Sequence, residues 1–212
     1  MTIIIDGTTG VPVSPVTGTL AVLNGGTGVT TSTGSGANVL GTSPSISGAV
    51  MTTMASSVIT SGTAVASTSG TSIDFTGIPS WVKRVTVMMN AVSTNGSSVL
   101  LVQLGTSVGV QITSYLSNAD NNSGAGASYT TGFGLFRSWA NTQTYAGIVT
   151  CALVGSNIWV NSGVGALSGI GSTQVGYSGG VVTLAGTLDR VRITTVNGTD
   201  TFDAGSINIL YE

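Results

Sequence analysis

No charged side chain occurs between Asp6 and Asp74. Across that interval Gly, Thr and Ser alternate with isolated Val, Leu and Ile, as in Leu23-Asn-Gly-Gly-Thr-Gly-Val-Thr-Thr-Ser-Thr-Gly-Ser-Gly-Ala-Asn-Val-Leu40. Such a segment holds too few large apolar residues to enclose a core and too few charges to resemble an ordinary solvated linker. Its backbone groups and scattered apolar side chains need partners, and the pattern points to a fibre or large assembly in which neighbouring chains supply them.

At 212 residues the chain has room for one domain of about 150 residues beside such an arm. Charged residues make up only 6% of it. Lys83, Arg84, Arg137, Arg190 and Arg192 do not form a cluster able to neutralise a nucleic-acid backbone, so nucleic acid is not an expected partner. No apolar run reaches membrane-spanning length, and no membrane insertion is expected. Met1-Thr-Ile-Ile-Ile-Asp6 has no basic start, long apolar stretch or cleavage site, so it reads as something other than a secretory signal and the chain as made in a cytoplasm. The single Cys151 sits in the apolar run Tyr145 to Val154 and reads as a small core residue.

Helical periodicity is scarce, and the fold is expected to be all-β. In Leu188 to Thr195 the residues Val191 and Ile193 share a face, with Arg190 and Arg192 on the other. Asn197-Gly198 offers a tight hairpin turn, after which Thr199 to Phe202 would pair back, and Ser206 to Tyr211 forms a last strand. A second hairpin is expected from Trp81 to Val92 through Asn95-Gly96 to Ser98 to Leu104. Both faces of these strands are apolar, which suggests cover by another subunit. Further strands are expected near Ser128 to Arg137, Tyr145 to Val154, Asn157 to Asn161, Thr173 to Tyr177 and Val181 to Ala185, a spacing suited to an antiparallel β-sandwich of jelly-roll type. The expected organisation is an attachment segment at 1–22, an extended Gly/Thr/Ser-rich shaft at 23–62 and a sandwich head at 63–212.

Leu23 to Ile46 resembles the Gly-Gly-Thr-Gly…Thr-Ser-Pro element that recurs in tail fibres and related fibrous proteins of tailed bacteriophages. Ser72-Ile-Asp-Phe-Thr-Gly-Ile-Pro-Ser-Trp-Val-Lys-Arg-Val-Thr-Val87 and the stretch from Asp189 to Ile209 are similar to a module of small phage virion proteins, leaving roughly 105 to 180 unmatched. The resemblance implies a homotrimeric, non-enzymatic fibre on the virion exterior, its N-terminus docked on other virion proteins and its head outward. Both a tail fibre, joined to an adaptor or nozzle, and a capsid-mounted head fibre fit the motif. Within a trimer, Val29, Val39, Leu40 and Ile46 would meet inside the arm, with Val85 and Leu101 contributing from the head. Ile3, Ile4, Ile5, Val11 and Val13 could add a strand to a virion partner.

Without histidine the chain lacks the usual Ser-His-Asp, Cys-His and zinc constellations, and no cofactor or metal is expected. A carboxylate pair for glycan cleavage, as in depolymerases, would have to come from Asp120, Asp200 and Asp203. The latter two lie beside a turn, where Asp ordinarily caps backbone. A bacterial adhesin is the other rival, but no secretion or sortase signal accompanies it. Glycan binding without cleavage is the better expectation, with Tyr115, Asn118, Asp120, Tyr129, Trp139 and Asn141 in the middle of the head supplying stacking faces and hydroxyl partners. Trp81 and Trp159 lie in apolar strands and read as core. Arg84, Arg137, Arg190 and Arg192, set among Asp74, Asp120, Asp189, Asp200 and Asp203, could pair across subunits and fix register or bind acidic sugars, and structural pairing is the better expectation.

Overall fold

The structure is a computed structural model in which residues 59–121, 125–170 and 172–212 are described. Among the described residues it is all-β, with every strand pair antiparallel. In chain order the strands are β1 (Thr60–Ser61), β2 (Val65–Ala66), β3 (Ile73–Thr76), β4 (Arg84–Thr94), β5 (Leu100–Thr106), β6 (Gly109–Val110) and β7 (Leu116–Asp120). There follow β8 (Ala127–Tyr129), β9 (Phe133–Gly134), β10 (Thr144–Gly155), β11 (Ile158–Ile170), β12 (Ser172–Thr183), β13 (Arg190–Thr195) and β14 (Phe202–Tyr211). Among the described residues they form a large sheet ordered β1-β14-β4-β10-β11-β12-β7-β8, with β2 also on β14, and a small sheet ordered β3-β13-β5-β6, with β9 also on β5.

Inward-facing residues of both sheets meet in one core, as the period-2 alternation dictates. Val85, Val87, Val149, Cys151, Trp159 and Val182 come from the large sheet, and Leu100, Val102, Leu104, Val191 and Ile193 from the small one. The expected Val191/Ile193 face is the buried one. Burial pushes the Cys151 thiol up to about 12, in keeping with an inert core residue.

Neither expected hairpin forms. β4 and β5 lie in different sheets, as do β13 and β14, so both Asn-Gly turns are corners at which the chain crosses the sandwich. The corners bond to each other. Asn95 N–H donates to the Thr201 carbonyl (2.9 Å), Thr201 N–H to Asn95 Oδ1 (2.9 Å) and Val196 N–H to the Val99 carbonyl (2.9 Å). Asp200 clasps both, accepting from Ser98 N–H (2.8 Å) and from Asn197 Nδ2 (2.6 Å). A Cβ on Gly96 would overlap that carboxylate, so glycine is needed there for the close approach. Of the two corner glycines only Gly198 has positive φ, and the two successive positive-φ residues of a hairpin turn are absent at both corners.

The meander β10-β11-β12 is longer than its sequence suggests. Asn157 to Asn161 is the start of a strand reaching Ile170, and Thr173 to Tyr177 and Val181 to Ala185 merge into one. Glycines within these strands form a flat floor for rings. A Cβ on Gly176 would overlap the Phe136 ring, and one on Gly165 the Tyr145 ring. Phe136 and Tyr145 themselves meet edge to face at 5.1 Å.

Candidate functional site

Alternation along β10 turns Val149 and Cys151 inward and Ile148, Thr150 and Ala152 outward. The register then carries each outward residue across the large sheet. Met88, Ile148, Val164 and Tyr177 align in one row on β4, β10, β11 and β12. Thr86, Thr150, Ser162 and Gly179 form the next row, Ala152, Val160, Val181 and Leu116 another, and Ala146, Ala166 and Val175 a fourth. The result is a broad face of mostly small and β-branched side chains without a formal charge on β10 to β12, the register adding Arg84 beside Ala152 and Asp120 beside Tyr177 at the row ends. It is open: Ile148 is 52% exposed, Val164 58% and Tyr177 52%. Charge occurs at its margins. Arg84 pairs with Glu212 at one end, and Asp120, bonded by Asn121 N–H (2.8 Å) and weakly by the Tyr177 hydroxyl (3.4 Å), lies at the other.

The residues expected to bind glycan fare differently. Tyr115 is 3% exposed, stands edge to face on Phe133 at 4.9 Å and receives a hydrogen bond from Leu104 N–H (2.8 Å). Burial raises its phenol well above the ordinary range. Trp139 is 6% exposed and donates from Nε1 to Thr94 Oγ1 (3.0 Å). Both are core residues, which corrects their assignment to a stacking surface. Their polar neighbours in sequence mislead: Arg137 and Ser138 are exposed while Phe136 and Trp139 on either side of them are buried. Tyr129 is half-buried, with its ring against Gly134 and its hydroxyl donating to the Phe136 carbonyl. Asp120 is buried. Asn118, which donates to Ser128 Oγ (3.3 Å), and Asn141, in a turn, are exposed.

Trp81 reverses in the other sense. Expected in the core, it is 49% exposed and packs obliquely against Tyr211 at 6.0 Å, while Trp159 is buried as expected. Val85 and Leu101 are 0% and 1% exposed within a single chain and so lie in its own core; both faces of β5 are buried there, whereas Thr86 and Met88 on the outward face of β4 are only half-buried. Val29, Val39, Leu40, Ile46 and the attachment residues Ile3, Ile4, Ile5, Val11 and Val13 lie outside the described residues. Asp200 serves the corners, and Asp203 accepts from Ser93 Oγ. Arg192 bonds Asp74 through two nitrogens (2.8 and 3.1 Å) and Arg190 lies 3.3 Å from Asp189, pairing within the chain. Among the described residues no three His, Cys, Asp or Glu side chains gather in a metal-binding group.

The open face escaped the sequence because Tyr145 to Val154 looks uniformly apolar, and only the register separates Ile148 from Val149. Its signal was the lack of any charge in the outward positions of three successive long strands. Comparison with family models, curated proteins and solved structures finds no match to this chain.

Proposed function

We propose that this chain is a non-enzymatic structural protein of a bacteriophage particle, three copies of which form a fibre with a jelly-roll-like head. Residues 1–22 dock on other virion proteins and the head faces away from the particle. The observation carrying this reading is the open, uncharged face of the large sheet around Ile148, Val164 and Tyr177. An apolar face of this breadth is unusual on a solitary domain and marks an interaction surface.

Its occupant is another copy of the same chain. Identical copies that meet through charged faces set like charges against like, and the aligned outward rows of β10 to β12 are free of that penalty. Flat rows of Ala, Ser, Thr, Val and Gly also let backbones approach closely. The paired crossings β4 to β5 and β13 to β14 support the jelly-roll-like description. The arm motif supports the phage assignment.

Sedimentation of the full chain tests the assembly: a trimer is expected, and a monomer would overturn it. Replacing Ile148 by Lys together with Val164 by Glu should shift the chain towards monomer with unchanged circular dichroism. A trimer persisting in that variant would place the interface elsewhere. Imaging of the intact particle distinguishes tail from capsid.

A further inference from the structure

The outer face of the small sheet differs in character from that of the large one. Cross-strand register sets Asp74, Arg192 and Gln103 in one row on β3, β13 and β5. Beside that row lies a groove of about 300 Å³, floored by Gln103, Arg192 and Thr194 and rimmed by Ile112, Thr131 and Val196. This is the lower end of the ~300–1,000 Å³ range of small-molecule sites. Its polar groups are held in place. Gln103 Nε2 donates to the Thr131 carbonyl (2.7 Å), and Thr194 Oγ1 to the Thr71 carbonyl (2.8 Å). The Arg192 guanidinium is fixed by its two-nitrogen bond to Asp74, whose Oδ2 also accepts from Ser72 Oγ (3.2 Å).

From this geometry we propose that the groove binds a neutral, polyhydroxylated ligand of monosaccharide size. The Arg192–Asp74 pair sums to no net charge, so it offers no general attraction for anions. On the groove floor the Arg192 guanidinium, a donor, lies beside the Gln103 carboxamide, whose oxygen is an acceptor. A sugar hydroxyl both donates and accepts, and two adjacent hydroxyls match one donor and one acceptor held side by side. Ile112 and Val196, exposed at the rim, supply an apolar surface for the C–H face of the ring. The proposal rests on the assembly reading in one respect: with the large sheet turned to other copies, the small sheet's outer face is left to solvent.

The test uses saturation-transfer NMR on the full chain with the methyl glycosides of glucose, galactose, mannose and N-acetylglucosamine, and with glucuronate as an anionic control. At least one neutral glycoside should bind with Kd of about 1 mM or weaker. Affinity should fall about tenfold or more in Arg192→Leu, which breaks the pair, and in Ile112→Asp, which alters only an exposed rim side chain and leaves the core untouched. Absence of binding by all four glycosides, binding by glucuronate alone, or equal binding by wild type and Ile112→Asp would overturn the proposal. Sedimentation of the same samples reads the assembly independently, so failure of either is recognised separately.

Discussion

At the scale of single residues, the glycines of β11 and β12 divide into two kinds. Gly176 lies under the Phe136 ring with no room for a Cβ, whereas a Cβ on Gly179 would meet only the Asn161 carbonyl, at 3.7 Å. Gly176→Ala should therefore cost about 1–3 kcal/mol through overpacking, and Gly179→Ala should be neutral or slightly stabilising because it stiffens the unfolded chain. Urea titration of the two variants checks this, and equal losses would remove the distinction. Trp139→Ala carries a larger effect. It empties a buried ring site and leaves Thr94 without its indole partner, so a loss of about 3–5 kcal/mol is expected by the same titration. A loss below about 1 kcal/mol would return Trp139 to the surface.

Elements are held by corners more than by hairpins. Asp200 joins the Asn95-Gly96 and Asn197-Gly198 corners, and Asp200→Ala leaves the Ser98 N–H and the Asn197 amide short of an acceptor. A cost of about 1–3 kcal/mol is expected, with amide exchange rising first at Ser98 and Thr201. Strand existence was legible because alternation such as Val191/Ile193 follows directly from the pleat. Strand partners were not, since an Asn-Gly pair signals a reversal without saying which sheet receives the chain, and the Asp200 clasp joins residues far apart in sequence. Gly165 and Gly176 lack a side chain because a ring from elsewhere packs on each, which the local sequence does not show. Tyr115 and Trp139 misled similarly: polar neighbours describe the local chain, while burial is decided by what packs over it. The open face around Ile148 needed the register, which no single strand contains.

At the scale of the whole molecule, the phenols packed within the sandwich tie stability to alkaline pH. Burial holds Tyr129 up to about 12 against an ordinary 10.0 and Cys151 up to about 12 against 9.0, and it raises Tyr115 and Tyr145 as well. The unfolded chain thus releases these protons first. Stability should be whole below about pH 9 and fall as pH climbs through 10 towards 12. Thermal melts from pH 8 to 12 check this, and a constant melting temperature over that span would contradict it. One further property follows from where the strands begin. Thr60–Ser61 and Val65–Ala66 are each only two residues long and both lean on β14, whereas Ser67 is fully buried and bonded through its hydroxyl and amide to Ala204 and Gly205. A pull entering at Ile59 would peel β1 and then β2 before reaching Ser67. The tether would lengthen by about 3.3 Å for each residue released. The sandwich beyond would keep its shape, so under load the first strands would give way before the core does.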